Sequence, residues 1–449
     1  MFKPLGADLR STIALAWPVI VAELGWMAMG IVDTIMVGSL GPASIGAVGL
    51  GSGIYLAAAI FGMGLLLGLD ALVSQAFGAR NLHECHRWLL HGVYLALLTA
   101  GPITLACFTV AWSMPQWGLH PSVAAPARDY LSTVAWGTLP LLLYATFRRY
   151  LQATHLVLPV MAVLVSANLV NAAFNWLLIL GHFGFPALGT TGSAWATVIS
   201  RWYMAGALGA IILWHERREG VAVLDVPLDL DWQRLNRLLR LGAPAAMQIT
   251  AEVGVFAAAT TLAGRLEPVS LAAHQVVLNV ASVAFMVPLG LSSAGAVRVG
   301  HAVGRRDMRE AGRSGWAALA VGVGFMACSA LTMLALPRVL IHMFTRDSAV
   351  EATAVSLLVI AAGFQLFDGV QGVATGILRG LGDTRTAMIS NLGAHWLLGL
   401  PIGYTLCFVL GWGIQGIWIG LSVGLIVVAV VLLLVWSARV RAMEAPLSS

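Results

Sequence analysis

Apolar runs long enough to cross a bilayer recur along the whole chain of 449 residues, and that feature leaves few folds open. Backbone N–H and C=O groups cannot go unpaired in hydrocarbon, so only helices and closed barrels span a membrane. A spanning helix needs about 20 mostly apolar residues. Runs of that kind fall at about 13–37, 45–73, 89–113, 129–151, 157–181, 190–214, 241–264, 269–296, 315–337, 350–378, 386–410 and 414–436, twelve in all. A barrel would show alternating segments of about ten residues instead, and none occur. Only 10% of the residues are charged, against about 25% in soluble chains, and 49 glycines suit helices that approach closely. The expected fold class is an all-α polytopic membrane protein. The first run is too long for a signal peptide and no small-residue cleavage site follows it, so it reads as a retained span.

The chain also repeats itself. Pro18, Gly38, Leu40, Pro42 and Ser44 return 226 positions later as Pro244, Gly264, Leu266, Pro268 and Ser270. Val73, Ala76, Gly78, Arg80 and Glu84 return as Val299, Ala302, Gly304, Arg306 and Glu310, and Gly189 and Gly192 resemble Gly413 and Gly416. Six spans per half bring both halves into the membrane in the same orientation. The expectation is two six-helix lobes related by a pseudo-twofold along the membrane normal. Residues 1–214 form the amino-terminal lobe, 215–240 a cytoplasmic linker, and 241–449 the carboxy-terminal lobe. Within the linker, Asp231 is placed to cap an amphipathic helix whose Trp232, Leu235, Leu238 and Leu239 would lie on the membrane surface.

Basic residues are unevenly shared. Twenty of them, including Lys3, Arg10, Arg80, Arg87, Arg148, Arg149 and Arg306, lie in loops on the amino-terminal side. Only Arg128, Arg265, Arg338 and Arg346 lie in loops on the other side. The positive-inside rule then places both termini in the cytoplasm. The net charge of +5 resides in one set of loops, and no nucleic-acid partner is expected. Cys85, Cys107, Cys328 and Cys407 show neither metal nor redox spacing, and no phosphate-binding Gly-x-x-x-x-Gly-Lys-Ser/Thr sequence is present.

A charge at the bilayer centre costs at least about 2.5–3.5 kcal/mol, so ionisable groups there usually face a bundle interior or a water-filled cavity. Helical spacing groups them. Trp26, Gly30 and Asp33 share a stripe, as do Asn168, Asn171 and Asn175. Gln248, Glu252 and Phe256 form a third, Gln275, Asn279 and Ser282 a fourth with Phe285 beyond, and Phe364, Asp368, Gln371 and Thr375 a fifth. The amides serve equally well as interhelical bonds or as ligand contacts. The acids Asp33, Glu252 and Asp368 point to function, because a carboxylate is a costly way to obtain one hydrogen bond. Asp70 suits a solvated or Arg-paired role, Glu23 is a candidate partner for Arg201 inside the sixth run, and His91, His274 and His395 read as packed, hydrogen-bonded histidines.

Four strings carry a resemblance to a known family: Val32-Asp33-Thr34-Ile35-Met36-Val37-Gly38, Ser74-Gln75-Ala76-Phe77-Gly78-Ala79, Ala273-His274-Gln275-Val276, and Leu378-Arg379-Gly380 with Gly382-Asp383-Thr384. In this order, on twelve spans with a repeat, they resemble the MATE (multidrug and toxic compound extrusion) transporters, most nearly their NorM-like branch. The resemblance implies an H⁺- or Na⁺-driven antiporter in the bacterial inner membrane. It would export cationic, amphipathic drugs by alternating access, as a monomer, with no cofactor beyond the coupling ion. It makes Asp33, Asn171 and Asn175 an amino-lobe polar site. Glu252 and Asp368 become a carboxy-lobe cation site, open to Na⁺, supported by Gln275, Asn279 and Gln371 with Phe285 and Phe364 nearby. Some relatives carry an acid where this chain has Asn175. A lipid-linked saccharide flippase of the same superfamily is the alternative, but it would be expected to line its cavity with cations. A membrane-embedded enzyme would need a catalytic cluster, and none stands out.

Overall fold

The structure, a computed structural model, describes residues 5–118, 120–219 and 225–444. Lys3 and residues 220–224 of the linker lie outside them. All regular elements among the described residues are helical. The first half holds α1 (Leu5–Gly38), α2 (Pro42–Leu65), α3 (Gly68–Gly78), α4 (Leu82–Ser113), α5 (Pro121–Ala135), α6 (Thr138–Ala153), α7 (Val157–Leu180) and α8 (Thr190–Glu219). The second holds α9 (Trp232–Ala263), α10 (Pro268–Gly304), α11 (Met308–Ala335), α12 (Pro337–His342), α13 (Ser348–Leu381), α14 (Arg385–Asn391), α15 (Leu400–Tyr404) and α16 (Gly413–Glu444).

Eleven helical stretches among the described residues are long and apolar enough to cross a membrane. One crossing joins α2 to α3, and another runs from Arg385 to Val409 through π-helical turns at Leu392–Gly399 and Thr405–Val409. The twelfth run, expected at 129–151, is broken at Trp136–Gly137 into α5 and α6. The chain bends there without losing backbone pairing, since Gly137 N donates to Val134 O at 2.9 Å and Leu141 N to Gly137 O at 3.1 Å. Twelve spans, six in each half, account for the described chain.

Local chemistry sets the helix ends. Proline opens α2, α5 and α10 at a position whose N–H has no helical partner anyway. Gly181 and Gly382 close α7 and α13 with φ of 75° and 87°. The internal repeat returns as geometry. Arg80 and Arg306 both adopt positive φ, 58° and 61°. Asn81 N and Asp307 N then bond back to Ala76 O and Ala302 O at 3.0 and 2.9 Å. Finally the Asn81 and Asp307 side chains cap the next helix, accepting from Glu84 N and Glu310 N at 3.0 and 2.8 Å.

By packing, the chain divides into two units: Val21–Ala246, and the remainder up to Ile20 and from Met247. Each boundary falls two residues past a repeated proline, Pro18 in α1 and Pro244 in α9. The units therefore change over inside helices, whereas the repeat alone suggests a change in the linker. Asp231 does cap α9, accepting from Gln233 N at 2.9 Å and Arg234 N at 3.3 Å. The helix it caps, however, runs unbroken from Trp232 to Ala263. Leu235 and Leu238 are buried in the core of the Val21–Ala246 unit and Leu239 packs against it, whereas Trp232 stays 67% exposed, so three of the four residues read as a membrane-surface face are satisfied by protein.

In the other unit α13 lies close against α10. A Cβ added at Gly376 or Gly380 would run into the backbone carbonyls of Ser292 or Ala296, the small-residue contact expected where helices pack without a hydrophobic driving force. Gly376→Ala is expected to cost about 1–3 kcal/mol through overpacking, read as a lower unfolding temperature in detergent. Gly363→Ala, where an added Cβ meets nothing within 4 Å, should show no loss. Equal stability of the two variants would contradict the close approach.

Candidate functional site

In the Val21–Ala246 unit, α1, α7 and α8 converge on Asp33. It is buried, 7% exposed. Asn175 sits one turn after Asn171 on α7, and its Nδ2 donates to Asp33 Oδ1 at 2.5 Å and to Asn171 Oδ1 at 3.0 Å. From α8, Thr197 Oγ1 donates to Asp33 Oδ2 at 3.1 Å. The structure thus brings Asp33, Asn171 and Asn175 together and adds Thr197. A lone threonine in an apolar run gives no signal by itself, although its spacing from Ser193 and Arg201 marks a polar face. Asn168 stands apart: its Nδ2 donates to Gly25 O at 3.0 Å, an interhelical bond. Trp26 leaves the Asp33 stripe to stack on Tyr144, with ring centroids 6.1 Å apart.

The pairing of Glu23 with Arg201 is corrected. Glu23 hydrogen-bonds and ion-pairs with Arg148 of α6, and both are buried. Asp70 is also buried and pairs with Arg149 at 3.3 Å, which selects the Arg-paired role over the solvated one. Both arginines count as loop charges in the sequence although they close the 129–151 run; in α6 Arg148 is buried and Arg149 partly so. Arg201 instead lies over Tyr55, its guanidinium carbon 4.5 Å from the ring centroid, a cation–π contact.

In the other unit, α9 and α13 supply the acids. Gln371 Nε2 lies 3.3 Å from each oxygen of Glu252, and Gln248 Nε2 lies 3.4 Å from Oε2. Gln371 follows Asp368 by three residues and so shares its face of α13. Asp368 is buried, makes no hydrogen bond among the described residues, and is close enough to feel the Glu252 charge. Neither carboxylate has a basic partner among the described residues. Gln371 Oε1 is buried without a hydrogen-bond partner. Two acids without a basic partner among the described residues, one of them held by amide nitrogens, are groups that could take up a proton or a small cation.

The remaining predicted residues separate. Gln275 is exposed and Asn279 half-buried, and no hydrogen bond joins either to Glu252 or Asp368. Phe285 lies against Gly372, one turn past Asp368 on α13. Phe364, one turn before Asp368, stacks on Trp418 with centroids 5.8 Å apart. Trp418 Nε1 donates to His274 Nδ1 at 3.1 Å, and His274 Nε2 meets Thr260 Oγ1 at 2.9 Å. His274 is therefore the packed, hydrogen-bonded histidine expected. So is His91, which bonds Arg87 O and Asp231 N at 2.7 and 3.1 Å. His395 is buried with both ring nitrogens unpartnered, unlike the expectation. No cluster of three or more metal-ligating His, Cys, Asp or Glu side chains occurs among the described residues.

Comparisons with known proteins follow the same lines. The sequence model of the MatE family matches residues 18–177 and again 244–405, the two copies beginning at the repeated prolines. The probable multidrug resistance protein NorM of Mesorhizobium japonicum is 39% identical over 441 residues, covering 97% of this chain and 94% of the relative. A protein of the same name from Brucella suis is 36% identical, covering 96% and 93%. Among solved structures, the eukaryotic MATE transporter AtDTX14 superposes with a TM-score of 0.88 at 21% identity, covering 98% of this chain and 99% of that one. An outward-facing multidrug resistance MATE transporter gives 0.86 at 19%, covering 97% of each.

Proposed function

The chain belongs to the MatE family, and on that premise we propose that it is a cation-coupled multidrug efflux antiporter exporting cationic, amphipathic compounds by alternating access. The carrying observation is the Glu252–Asp368 pair, two intramembrane acids with no basic partner among the described residues. Such a pair attracts either a cationic drug or a coupling ion. An entering H⁺ or Na⁺ neutralises the site, the drug leaves on the outside, and the protein resets. One ion crossing about 100 mV supplies roughly 2.3 kcal/mol, on the order of a fiftyfold gradient for a drug without net charge. A monovalent cationic drug needs a second ion or an ion concentration gradient. We place the protein in the bacterial inner membrane with both termini in the cytoplasm, acting as a monomer.

The deciding experiment is drug uptake into inverted membrane vesicles with Na⁺ and pH gradients imposed separately. Drug movement driven by one gradient and not the other identifies the coupling ion, and movement with neither would overturn the antiport reading. Asp33→Asn is expected to lower coupled uptake about tenfold, because one charge-assisted bond to ligand or ion is removed. A fully active variant would return Asp33 to interhelical bonding. The flippase alternative needs a cavity dominated by cations. Against it stand three acids at the two polar sites and a single arginine.

A further inference from the structure

The eleventh span, Arg385–Val409, leaves α-helical geometry and buries a histidine without partners. It turns π-helical at Leu392–Gly399, a form found mostly at functional positions. His395 lies in that turn, 2% exposed, and neither ring nitrogen has a hydrogen-bond partner. Asn391, four residues earlier, is 0% exposed. Its Nδ2 donates to Ala387 O at 3.3 Å, while its Oδ1 is unpartnered. The imidazole lies against α16 where no side chain intervenes: a Cβ added at Gly424 would come within 2.9 Å of His395 Nδ1.

Buried polar atoms in native proteins are almost always paired, as the ring nitrogens of His91 and His274 are. A neutral imidazole offers one N–H and one lone pair, and Asn391 Oδ1 adds an acceptor. Together they call for a small molecule that both donates and accepts, which water does. One imidazole and one amide oxygen fall short of the four ligands of a structural zinc.

The residue after His395 reaches α9 beside Glu252. Trp396 Nε1 donates to Ala251 O at 3.0 Å, the carbonyl immediately before the acid. Its ring lies against Gly254, where an added Cβ would meet the indole at 3.1 Å. By the 226-residue repeat the eleventh span is the counterpart of α7, and Asn175 of α7 holds Asp33. The same element of each half therefore makes a hydrogen bond at an intramembrane acid, to the carboxylate in one and to the adjoining backbone in the other.

We propose that the eleventh span positions Glu252: Trp396 fixes α9 at the acid, and a water held by His395 and Asn391 fixes the π turn from which Trp396 projects. The proposal rests on the reading of Glu252 as a coupling acid and adds Trp396 and His395 to it as positioning residues.

Ethidium uptake into inverted vesicles, with pH and Na⁺ varied in turn, gives the half-saturating concentration of the driving ion and the maximal rate. Trp396→Phe should raise the half-saturating concentration about fivefold, the equivalent of one hydrogen bond, with the maximal rate little changed. Gly254→Ala, which crowds the indole, should act in the same direction and decides if Trp396→Phe does not reach the membrane. An unchanged half-saturation with a lower maximal rate means that Trp396 only braces the helices, and overturns the positioning role while leaving efflux standing. No ethidium uptake by the wild type refutes the efflux reading and this proposal with it.

His395→Leu separates a bound water from a dry ring. With water held there, the variant should unfold at a lower temperature and raise the half-saturation as Trp396→Phe does, and His395→Gln, which keeps a donor and an acceptor, should recover both. A dry, unpaired imidazole is a cost that leucine removes, so a higher unfolding temperature would overturn the water. X-ray hydroxyl-radical labelling, which oxidises side chains beside bound water, reads the wild type directly. Buried His395 should be oxidised alongside His342, whose side chain is 48% exposed. Labelling of His342 alone counts against the water.

Discussion

Asp368→Asn is expected to abolish efflux: cells producing the variant should accumulate ethidium to the level of cells without the transporter, with the amount of protein in the membrane unchanged. The substitution is nearly isosteric, and Asp368 makes no hydrogen bond among the described residues, so the change removes little but charge. Asp368 lies near enough to Glu252 to feel its charge, and the proposed coupling rests on the two acids together. Glu252→Gln should have the same effect for the same reason, although Gln248 and Gln371 hold its carboxylate and their bonds must rearrange. Undiminished efflux in Asp368→Asn would remove the carboxy-half pair from the mechanism.

The second large effect is expected in stability. Arg148→Ala leaves the Glu23 carboxylate buried without its partner. Breaking one side of a buried ion pair costs about 3–5 kcal/mol, whereas replacing both partners by apolar residues of similar size is often neutral. Purified Arg148→Ala should therefore unfold at a clearly lower temperature in detergent, and the double variant Arg148→Leu with Glu23→Leu should recover most of the loss. If the double variant is as unstable as the single one, packing around α6 matters more than the pair. Tyr144, which stacks on Trp26, is then the next residue to change.

Much of the site is legible because helical spacing is a local property. Asn171 and Asn175 lie one turn apart on any helix, and so do Gln248 and Glu252, and Asp368 and Gln371 fall on one face whatever surrounds them. Their convergence on Asp33 and Glu252 follows once those faces turn inward, as polar faces in a bilayer must. Partner choice between helices is different. The sequence offers Glu23 only Arg201 as a partner inside a span, and tertiary packing instead brings Arg148 to it and leaves Arg201 to Tyr55. Gln275 occupies a polar stripe but is exposed and takes no part in holding Glu252, a fact that depends on the rotation of α10 about its axis. Thr197 is silent until α8 packs beside α1.

Hydrophobic run length and a 226-residue periodicity, both one-dimensional quantities, determined by themselves that this chain spans a membrane twelve times in two like halves, because hydrocarbon admits only helices and closed barrels and the alternating segments of a barrel do not occur. They also located the three acids, since charge is conspicuous where it is expensive. Tertiary packing alone decided where the units change over, two residues past Pro18 and Pro244, which acids are neutralised by arginine, and which side chains complete each site. Those outcomes depend on helix rotation and closest approach, settled by contacts such as Gly376 on Ser292 that join residues far apart in the chain.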